Sequence, residues 1–162
     1  MLKFYYAKNS AAYAPHILLE DVGADYEAVE IDFASGEQRQ DSYLNINPKG
    51  RVPSLITDHG ILTETPAILA FVAQSYPAHC MAPETPFEFA KAQVFNCYIA
   101  STVHVAHAHK HRGARWADDE TAHTHMRAKV HQNMTECAAI IESHYLRGPW
   151  VLGNRYSMCD PY

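Results

Sequence analysis

One stretch of the chain decides the fold, because it holds a turn, two strands and the start of a helix. It reads Asn47-Pro48-Lys49-Gly50-Arg51-Val52-Pro53-Ser54-Leu55-Ile56-Thr57, then Asp58-His59-Gly60, then Ile61-Leu62-Thr63-Glu64-Thr65-Pro66. The Asp-His-Gly turn between two apolar runs predicts a hairpin of strands over 54–57 and 61–63. Thr65 as N-cap and Pro66 as first helical residue predict a helix over 66–76, which Pro77 ends.

The residues before this stretch alternate between strand and helix patterns. An aromatic-rich run over 2–6 predicts one strand, and a second strand is predicted over 26–31. Between them, Ser10 can cap a helix that runs to about residue 22, in which Pro15 bends the helix or delays its regular start. The order β-α-β, loop, β-β-α predicts an α/β domain with a small mixed sheet and a layer of helices.

After residue 76 the pattern becomes helical only. Prolines at 77, 83 and 86 are typical of a linker, and two long helices are predicted over about 87–111 and 118–145. The second helix carries a stripe of residues spaced for burial: Met126, Val130, Met134, Cys137, Ala138 and Ile141. We therefore predict an α/β domain over 1–77, a linker over 78–86 and an all-α domain over 87–162.

The last residues carry a capping-box pattern. Ser157-Met158-Cys159-Asp160 places a cap residue and, three positions later, an acceptor at the start of a helix. The sequence ends two residues after this pattern. We therefore expect the helical domain to continue past Tyr162, so that this chain is truncated at its C-terminus.

Composition and charge exclude several classes of protein. The 162 residues carry a formal net charge of -5, whereas nucleic acids and anionic membranes are bound by basic faces. No apolar run approaches the roughly 18 residues of a membrane span, and the N-terminus lacks the apolar core of a signal peptide. The four cysteines form no C-x-x-C pair, so we expect reduced, buried thiols in a cytoplasmic protein.

Two features of the first half can carry chemistry. If the Val52–Pro53 bond is cis, the backbone of Val52 can pair with an extended peptide; if it is trans, Pro53 merely starts an edge strand. At Glu64-Thr65, free helix N–H groups, a hydroxyl and a carboxylate together suit the charged end of an α-amino acid. The alternative for this pair is an ordinary helix cap with an acidic neighbour.

Histidines recur in the first long helix of the second half. His104, His107 and His111 share one helical face, at a spacing that metal ligation would need. Since neither a further ligand nor a supporting second shell can be identified, a solvated polar face is favoured and no metal is expected.

The residues 47–55 and 62–69 resemble the glutathione-binding half of cytosolic glutathione S-transferases, and residues 13–17 and 148–160 resemble the proteobacterial, beta-like branch. The resemblance implies a thioredoxin-like domain followed by a helical domain, in a homodimer. It also implies that Val52 pairs with the cysteinyl backbone of glutathione, that Pro53 is the cis proline, and that Glu64 and Thr65 hold the γ-glutamyl end.

The residue that engages the glutathione sulfur is less clear from the resemblance. The cysteine of the beta-like branch would fall at Ala11, so that nucleophile is absent. Ser10 at the helix start is favoured, with Tyr5 of the first strand and the first-turn N–H groups as alternatives. His104 falls where the branch has a histidine that lines the site near the sulfur.

The resemblance therefore implies a glutathione transferase that activates the thiol for attack on small electrophiles, as detoxification enzymes do. The resemblance leaves two alternatives open. One is a disulfide reductase that uses two glutathiones, as some relatives without the cysteine do, and the other is a module that binds glutathione without transferring it.

Overall fold

The computed structural model covers residues 1–162, which form two compact units. The first unit consists of Met1–Thr85 together with Ser157–Tyr162, and the second is Pro86–Tyr156. The unit boundary falls within the predicted linker, but the last six residues pack with the first unit, whereas the sequence analysis placed them in the helical domain. As domains, 1–77, 78–86 and 87–162 stay a prediction.

The first unit contains a four-stranded mixed sheet. Its strands are β1 (Leu2–Tyr6), β2 (Tyr26–Glu30), β3 (Ser54–Thr57) and β4 (Gly60–Thr63), and its helices are α1 (Tyr13–Asp21), α2 (Asp41–Leu44) and α3 (Thr65–Ser75). The strand order is β2-β1-β3-β4. β1 runs parallel to β2 and antiparallel to β3, and β3 pairs with β4 in a hairpin. This is the thioredoxin-like arrangement, so the predicted fold class is confirmed.

Apolar residues of the sheet and of two helices form the core of this unit. Phe4 in β1 and Leu55 in β3 are fully buried, and α1 and α3 pack against each other. The helices contribute Leu18, Leu19, Ile68, Leu69 and Val72, which are also fully buried. Burying a Leu, Ile or Phe side chain is worth about 1.5–3 kcal/mol, so this cluster holds the sheet and both helices together.

Two predicted helix starts are wrong by one or two residues. α1 begins at Tyr13, whereas Ser10 as N-cap predicts a start at Ala11. Pro15 is therefore the third residue of the helix, where its missing N–H costs nothing, so the predicted delay of the regular start is confirmed. α3 begins at Thr65 itself, with Glu64 in the N-cap position and Pro66 second.

The second unit is helical. α4 (Pro86–Tyr98) leads through a π-helical segment (Ile99–Val103) into α5 (His104–Ala108), and α6 (Glu120–Ile140) ends in a second π-helical segment (Ile141–Tyr145). The predicted continuous helix over 87–111 therefore contains a π-helical turn and ends at Ala108. None of these helices is long and apolar enough to cross a membrane.

The long helix α6 begins two residues after its predicted start at Asp118 and follows most of its predicted stripe. The Asp119 carboxylate accepts hydrogen bonds from the N–H groups of Thr121 (2.8 Å) and Ala122 (3.3 Å). Val130 and Cys137 are buried, whereas Ala138 is exposed, contrary to the prediction. Half-buried positions of the stripe are Met126, Met134 and Ile141.

The C-terminal segment forms one half of the predicted capping box and continues as a turn rather than as the expected helix. The Asp160 carboxylate accepts hydrogen bonds from the N–H and the hydroxyl of Ser157 at 2.7 and 2.9 Å. The N–H of Met158 donates to the carbonyl of Met81 at 3.0 Å, which ties the segment to the first unit. Met158 and Cys159 are fully buried there.

The cysteines only partly match the expectation of buried thiols. None of the four forms a disulfide, and Cys137 and Cys159 are buried, whereas Cys80 and Cys97 are exposed. Burial raises the pKa of the Cys159 thiol to about 12. This thiol is therefore not a nucleophile at neutral pH.

Candidate functional site

Three chain segments meet at one end of the sheet. Tyr5 of β1 pairs with Ser54 of β3, and Ser54 pairs with Thr63 of β4, so these three residues form one row across the strands. Neighbouring strands lie about 4.8 Å apart. The loop after β1, the Val52–Pro53 segment before β3 and Glu64 after β4 therefore all emerge at this end. Sequence reasoning selected residues from each of these segments, and the sheet topology brings them together.

The Val52–Pro53 peptide bond is cis, which confirms that prediction. Pro53 is buried and Val52 is half-buried. Ser54 follows directly as the first residue of β3. The Val52 backbone therefore lies immediately beyond the paired row of strands.

Glu64 adopts a backbone conformation that residues other than glycine rarely take. Its φ is 73°, and Asn9 at the same end of the sheet has φ 54°. Such residues are held in place by their surroundings and concentrate at functional sites. Glu64 is exposed, while Thr65 behind it is buried. A carboxylate in solvent and the N-terminus of α3 are thus presented side by side.

Lys49 reaches this carboxylate from the preceding loop. Its Nζ contacts the Glu64 carboxylate and lies 2.8 Å from the hydroxyl of Thr63. Lys49 carries no functional signal of its own in the sequence, because it lies 15 residues from Glu64 and only the hairpin brings the two together.

A buried polar network supports the segment before β3. The Tyr43 hydroxyl of α2 donates to the carbonyl of Arg51 at 2.7 Å, and the Asn47 amide donates to the same carbonyl at 2.7 Å. Ser54 lies 3.0 Å from the Tyr43 hydroxyl and 3.3 Å from the Asn47 amide. Because the hydrogen of Tyr43 goes to Arg51, the hydroxyl of Ser54 donates to Tyr43 and accepts from Asn47.

The network is dry. Tyr43, Asn47 and Ser54 are between 0 and 2 % exposed. Burial raises the pKa of Tyr43, which keeps its hydroxyl protonated and available as a donor at neutral pH. The sequence analysis missed these supporting residues, although the turn-forming Asn47 before Pro48 stood in the stretch that decides the fold.

Ser10 lies in the loop after β1, and its hydroxyl is already engaged. It donates to the Ala7 carbonyl at 2.7 Å and accepts from the Ala12 N–H at 3.2 Å. The predicted role as helix N-cap is wrong, because Ala12 occupies that position. Ser10 instead closes the tight turn that leads into α1.

Tyr5, the alternative to Ser10, packs inside the first unit. Its ring lies 5.7 Å from the ring of Tyr43, and the Nζ of Lys3 lies 5.7 Å from its centroid. Its neighbours in β1, Phe4 and Tyr6, contact His16 of α1 instead. Tyr5 therefore faces the side of the sheet opposite α1.

The histidine run does not assemble into a metal site. His104 begins α5, and His107 also lies in that helix. His109 and His111 follow its end, where the His109 ring packs on Trp116 at 4.4 Å. No group of three or more His, Cys, Asp or Glu side chains converges as metal ligands would. His104 belongs to the second unit, directly after the π-helical segment.

His123 is a further histidine with a defined environment. Its Nε2 lies 2.6 Å from the Ala117 carbonyl and its Nδ1 lies 3.1 Å from the Glu120 carboxylate. The bond to the Ala117 carbonyl and the bond to Glu120 raise the pKa of His123. The ring also fills the space beside Gly113, where an added Cβ would lie 2.7 Å from it.

Fold and site together define a thioredoxin-like domain, followed in the chain by a helical unit. One end of its sheet presents a cis-proline segment, a glutamate with a positive φ and the N-terminus of a helix. The family model described as glutathione S-transferase, N-terminal domain, matches residues 1–74. A glutathione transferase homologue from Sulfitobacter, solved with bound glutathione, is 44% identical with a TM-score of 0.96, covering 100% of this chain and 78% of that one. The chain belongs to the glutathione S-transferase family.

Other relatives connect the chain to more than one branch of the family. Maleylacetoacetate isomerase of Pseudomonas aeruginosa is 27% identical and covers 99% of this chain and 77% of its own length. Glutathione S-transferase GstA of Escherichia coli O157:H7 is 28% identical over 99% of this chain and 78% of its own. The beta-like branch therefore stays a prediction.

Proposed function

We propose that this chain binds glutathione at the end of the sheet where Val52, Pro53, Glu64 and Thr65 meet, and activates its thiol for attack on a small electrophile. The observation that carries the proposal is that the loop after β1, the Val52–Pro53 segment and Glu64 all emerge at the end of the sheet marked by the row of Tyr5, Ser54 and Thr63. The Sulfitobacter homologue, 44% identical, was solved with bound glutathione, which supports the same ligand here.

The γ-glutamyl end of glutathione carries an ammonium and a carboxylate. Glu64 is the acceptor we assign to the ammonium, because its carboxylate is exposed beside the start of α3. The ligand carboxylate suits the N-terminus of α3, where the Thr65 N–H and hydroxyl can donate and the helix dipole favours an anion. The Val52 backbone is assigned to the cysteinyl residue, in the manner of an added strand.

Activation of the thiol requires loss of its proton near neutral pH. An ordinary cysteine has a pKa near 8.5, and lowering it by two units requires about 2.7 kcal/mol of preference for the thiolate. A charge-assisted hydrogen bond supplies about 1.5–3 kcal/mol, and the N-terminus of α1 supplies about 0.3–1 kcal/mol. One donor together with the helix dipole therefore supplies about 1.8–4 kcal/mol, a range that includes the required 2.7 kcal/mol.

Ser10 is the donor we assign to the thiolate, with Tyr5 as the alternative. To reach the sulfur, the Ser10 hydroxyl exchanges its bond to the Ala7 carbonyl for one to the thiolate, by rotation about a single side-chain torsion. The sulfur then attacks the electrophile; with a chlorinated aromatic, a carbon–sulfur bond forms and chloride leaves. His104 is assigned to the wall near the sulfur on the family resemblance.

A glutathione-dependent isomerase is the second candidate function. It is favoured by the similarity to maleylacetoacetate isomerase of Pseudomonas aeruginosa and by 36% identity over 83 residues to a zeta-class glutathione S-transferase of Euphorbia esula. In such a reaction the thiolate adds to a double bond and leaves again after rotation, so glutathione is regenerated. Conjugation, isomerisation and disulfide-reduction assays run in parallel separate the candidates.

Titration calorimetry with glutathione tests the proposed binding site. We expect Glu64→Ala to lower the affinity roughly ten- to hundredfold, because a charge-assisted bond of about 1.5–3 kcal/mol is lost. Ser10→Ala should keep the affinity within about a factor of three, which is less than 1 kcal/mol, while lowering turnover.

A matched control is Glu27→Ala, which removes another exposed carboxylate paired with a lysine of the same unit. It should leave affinity and turnover unchanged. If Glu64→Ala binds glutathione like the parent, the γ-glutamyl site is misplaced. If Ser10→Ala keeps full turnover, thiol activation moves to Tyr5 or to the backbone N–H groups.

We further propose that the protein works in the cytoplasm as a homodimer. Membership of the glutathione S-transferase family supports both proposals. A test of the homodimeric state of this protein is described below.

A further inference from the structure

Lys49 contacts the Glu64 carboxylate, which the proposed function assigns to the ammonium of the ligand. Its ammonium contacts the carboxylate of Glu64 and lies 2.8 Å from the hydroxyl of the neighbouring residue Thr63. A lysine side chain and the α-amino group of a γ-glutamyl residue are both primary ammonium groups with three donors. The two groups therefore make the same demand on Glu64.

The backbone of the loop fixes the point from which Lys49 reaches out. The Lys49 N–H donates to the buried side chain of Asn47 at 3.2 Å. The next residue, Gly50, has φ +59°, and a Cβ there would lie 2.8 Å from the Gln38 carbonyl and 3.0 Å from the Arg39 guanidinium. A loop packed this tightly holds the start of the Lys49 side chain in one place, from which its Nζ reaches the Glu64 carboxylate.

We propose that Lys49 sets how strongly this site selects ligands that carry a free amino group. The inference rests on the proposed function, because it concerns the same Glu64. While Lys49 neutralises Glu64, a ligand ammonium must displace or share it, which weakens binding. A ligand without an ammonium, in contrast, meets a carboxylate that is already paired.

Removal of Lys49 should act in opposite directions on two ligands. With Lys49→Met, Glu64 is free for the ammonium of glutathione, and the affinity should rise by up to about fivefold, the strength of an exposed ion pair. Desamino-glutathione, in which hydrogen replaces the amino group, keeps the carboxylate that lies near Glu64. Its affinity should fall several-fold, because two carboxylates then face each other without a counter-charge.

The measured quantity is the ratio of the affinities for glutathione and desamino-glutathione, determined by titration calorimetry. We expect this ratio to rise roughly tenfold in Lys49→Met and to stay at the parent value in Lys49→Arg, which keeps the charge. The rise should shrink at about 0.5 M salt, where exposed charges are screened. Lys91→Met is the matched control, since Lys91 pairs with Glu88 on α4.

Each outcome supports or overturns the proposed role of Lys49. If Lys49→Met weakens glutathione binding, Lys49 is itself a ligand contact and the proposal is wrong. If both ligands bind to the parent and the ratio does not change, Lys49 has no part in selection, while the proposed function stands. If the parent binds neither ligand, the proposed function fails and the inference fails with it.

Discussion

Replacing Asn47 by alanine should destabilise the protein through the loop that carries Val52 and Pro53. The Asn47 amide donates to the Arg51 carbonyl at 2.7 Å and to Ser54 at 3.3 Å, and its carbonyl accepts the Lys49 N–H at 3.2 Å. The side chain is 1 % exposed, so water cannot replace these bonds. The change therefore leaves polar groups of the loop without their partner.

The expected loss of stability is about 2–3 kcal/mol. A buried donor or acceptor that loses its partner costs about 1–3 kcal/mol, and Asn47 serves three groups. The Arg51 carbonyl keeps its bond from Tyr43 at 2.7 Å, which limits the loss. For a chain of this size, about 2–4 °C in melting temperature corresponds to each kcal/mol, so the melting temperature should fall by roughly 4–12 °C.

Thermal and urea unfolding followed by circular dichroism measure this loss. Asn45→Ala is the control, because Asn45 lies two positions earlier in the same loop and is exposed; its effect should stay within about 0.5 kcal/mol. Glutathione affinity, measured well below the melting temperature, should fall with Asn47→Ala and be unchanged with Asn45→Ala.

A double-mutant cycle with Tyr43→Phe tests the shared acceptor. Tyr43 and Asn47 both donate to the Arg51 carbonyl, so either single change leaves that carbonyl one donor and the double change leaves it none. The combined loss should exceed the sum of the single losses, with a coupling of about 0.5 kcal/mol or more. Additive losses, or an Asn47→Ala variant as stable as Asn45→Ala, would refute the reasoning.

Three further predictions concern the second unit and the assembly. The bonds of His123 to Ala117 and Glu120 raise its pKa. The stability that protonated His123 contributes is therefore fully present below a pH of about 6.5 and is lost as the pH rises through the folded-state pKa. Melting temperatures across this pH range should show this loss of stability in the parent and in His107→Gln, but not in His123→Gln. Asp119→Ala should cost about 1 kcal/mol by removing the cap of α6, whereas Asp118→Ala should not, as thermal unfolding will determine. Light scattering at micromolar concentration should give two subunit masses; one subunit mass would contradict the proposed homodimer.

Local sequence signals predicted the elements of the first unit well. Strands over 2–6 and 54–57 agree with β1 and β3 at both ends. The turn at Asp58-His59-Gly60 joins β3 to β4 as predicted, and the Asp160 carboxylate accepts from the Ser157 N–H as the capping-box pattern at 157–160 predicts. These features depend on residues within about four positions of one another, so the sequence contains all of the information they need.

Helix starts were predicted less accurately, because several nearby residues compete for each cap. Ser10 has the side chain of an N-cap, yet its hydroxyl bonds to the Ala7 carbonyl and the Ala12 N–H, and the helix begins three residues later. Glu64 precedes α3 with a positive φ, a conformation that sequence patterns do not indicate for a glutamate.

Contacts between distant residues were decided only by the tertiary structure. Lys49 meets Glu64, and Tyr43 meets Ser54, across separations of 15 and 11 residues. Which side chains meet at such distances depends on strand register, and a shift of one residue would turn every side chain to the other face of the sheet. The sequence alone thus determined the fold class and the segments of the site, whereas the partners of Glu64 and the support of Val52 and Pro53 required the sheet to be assembled.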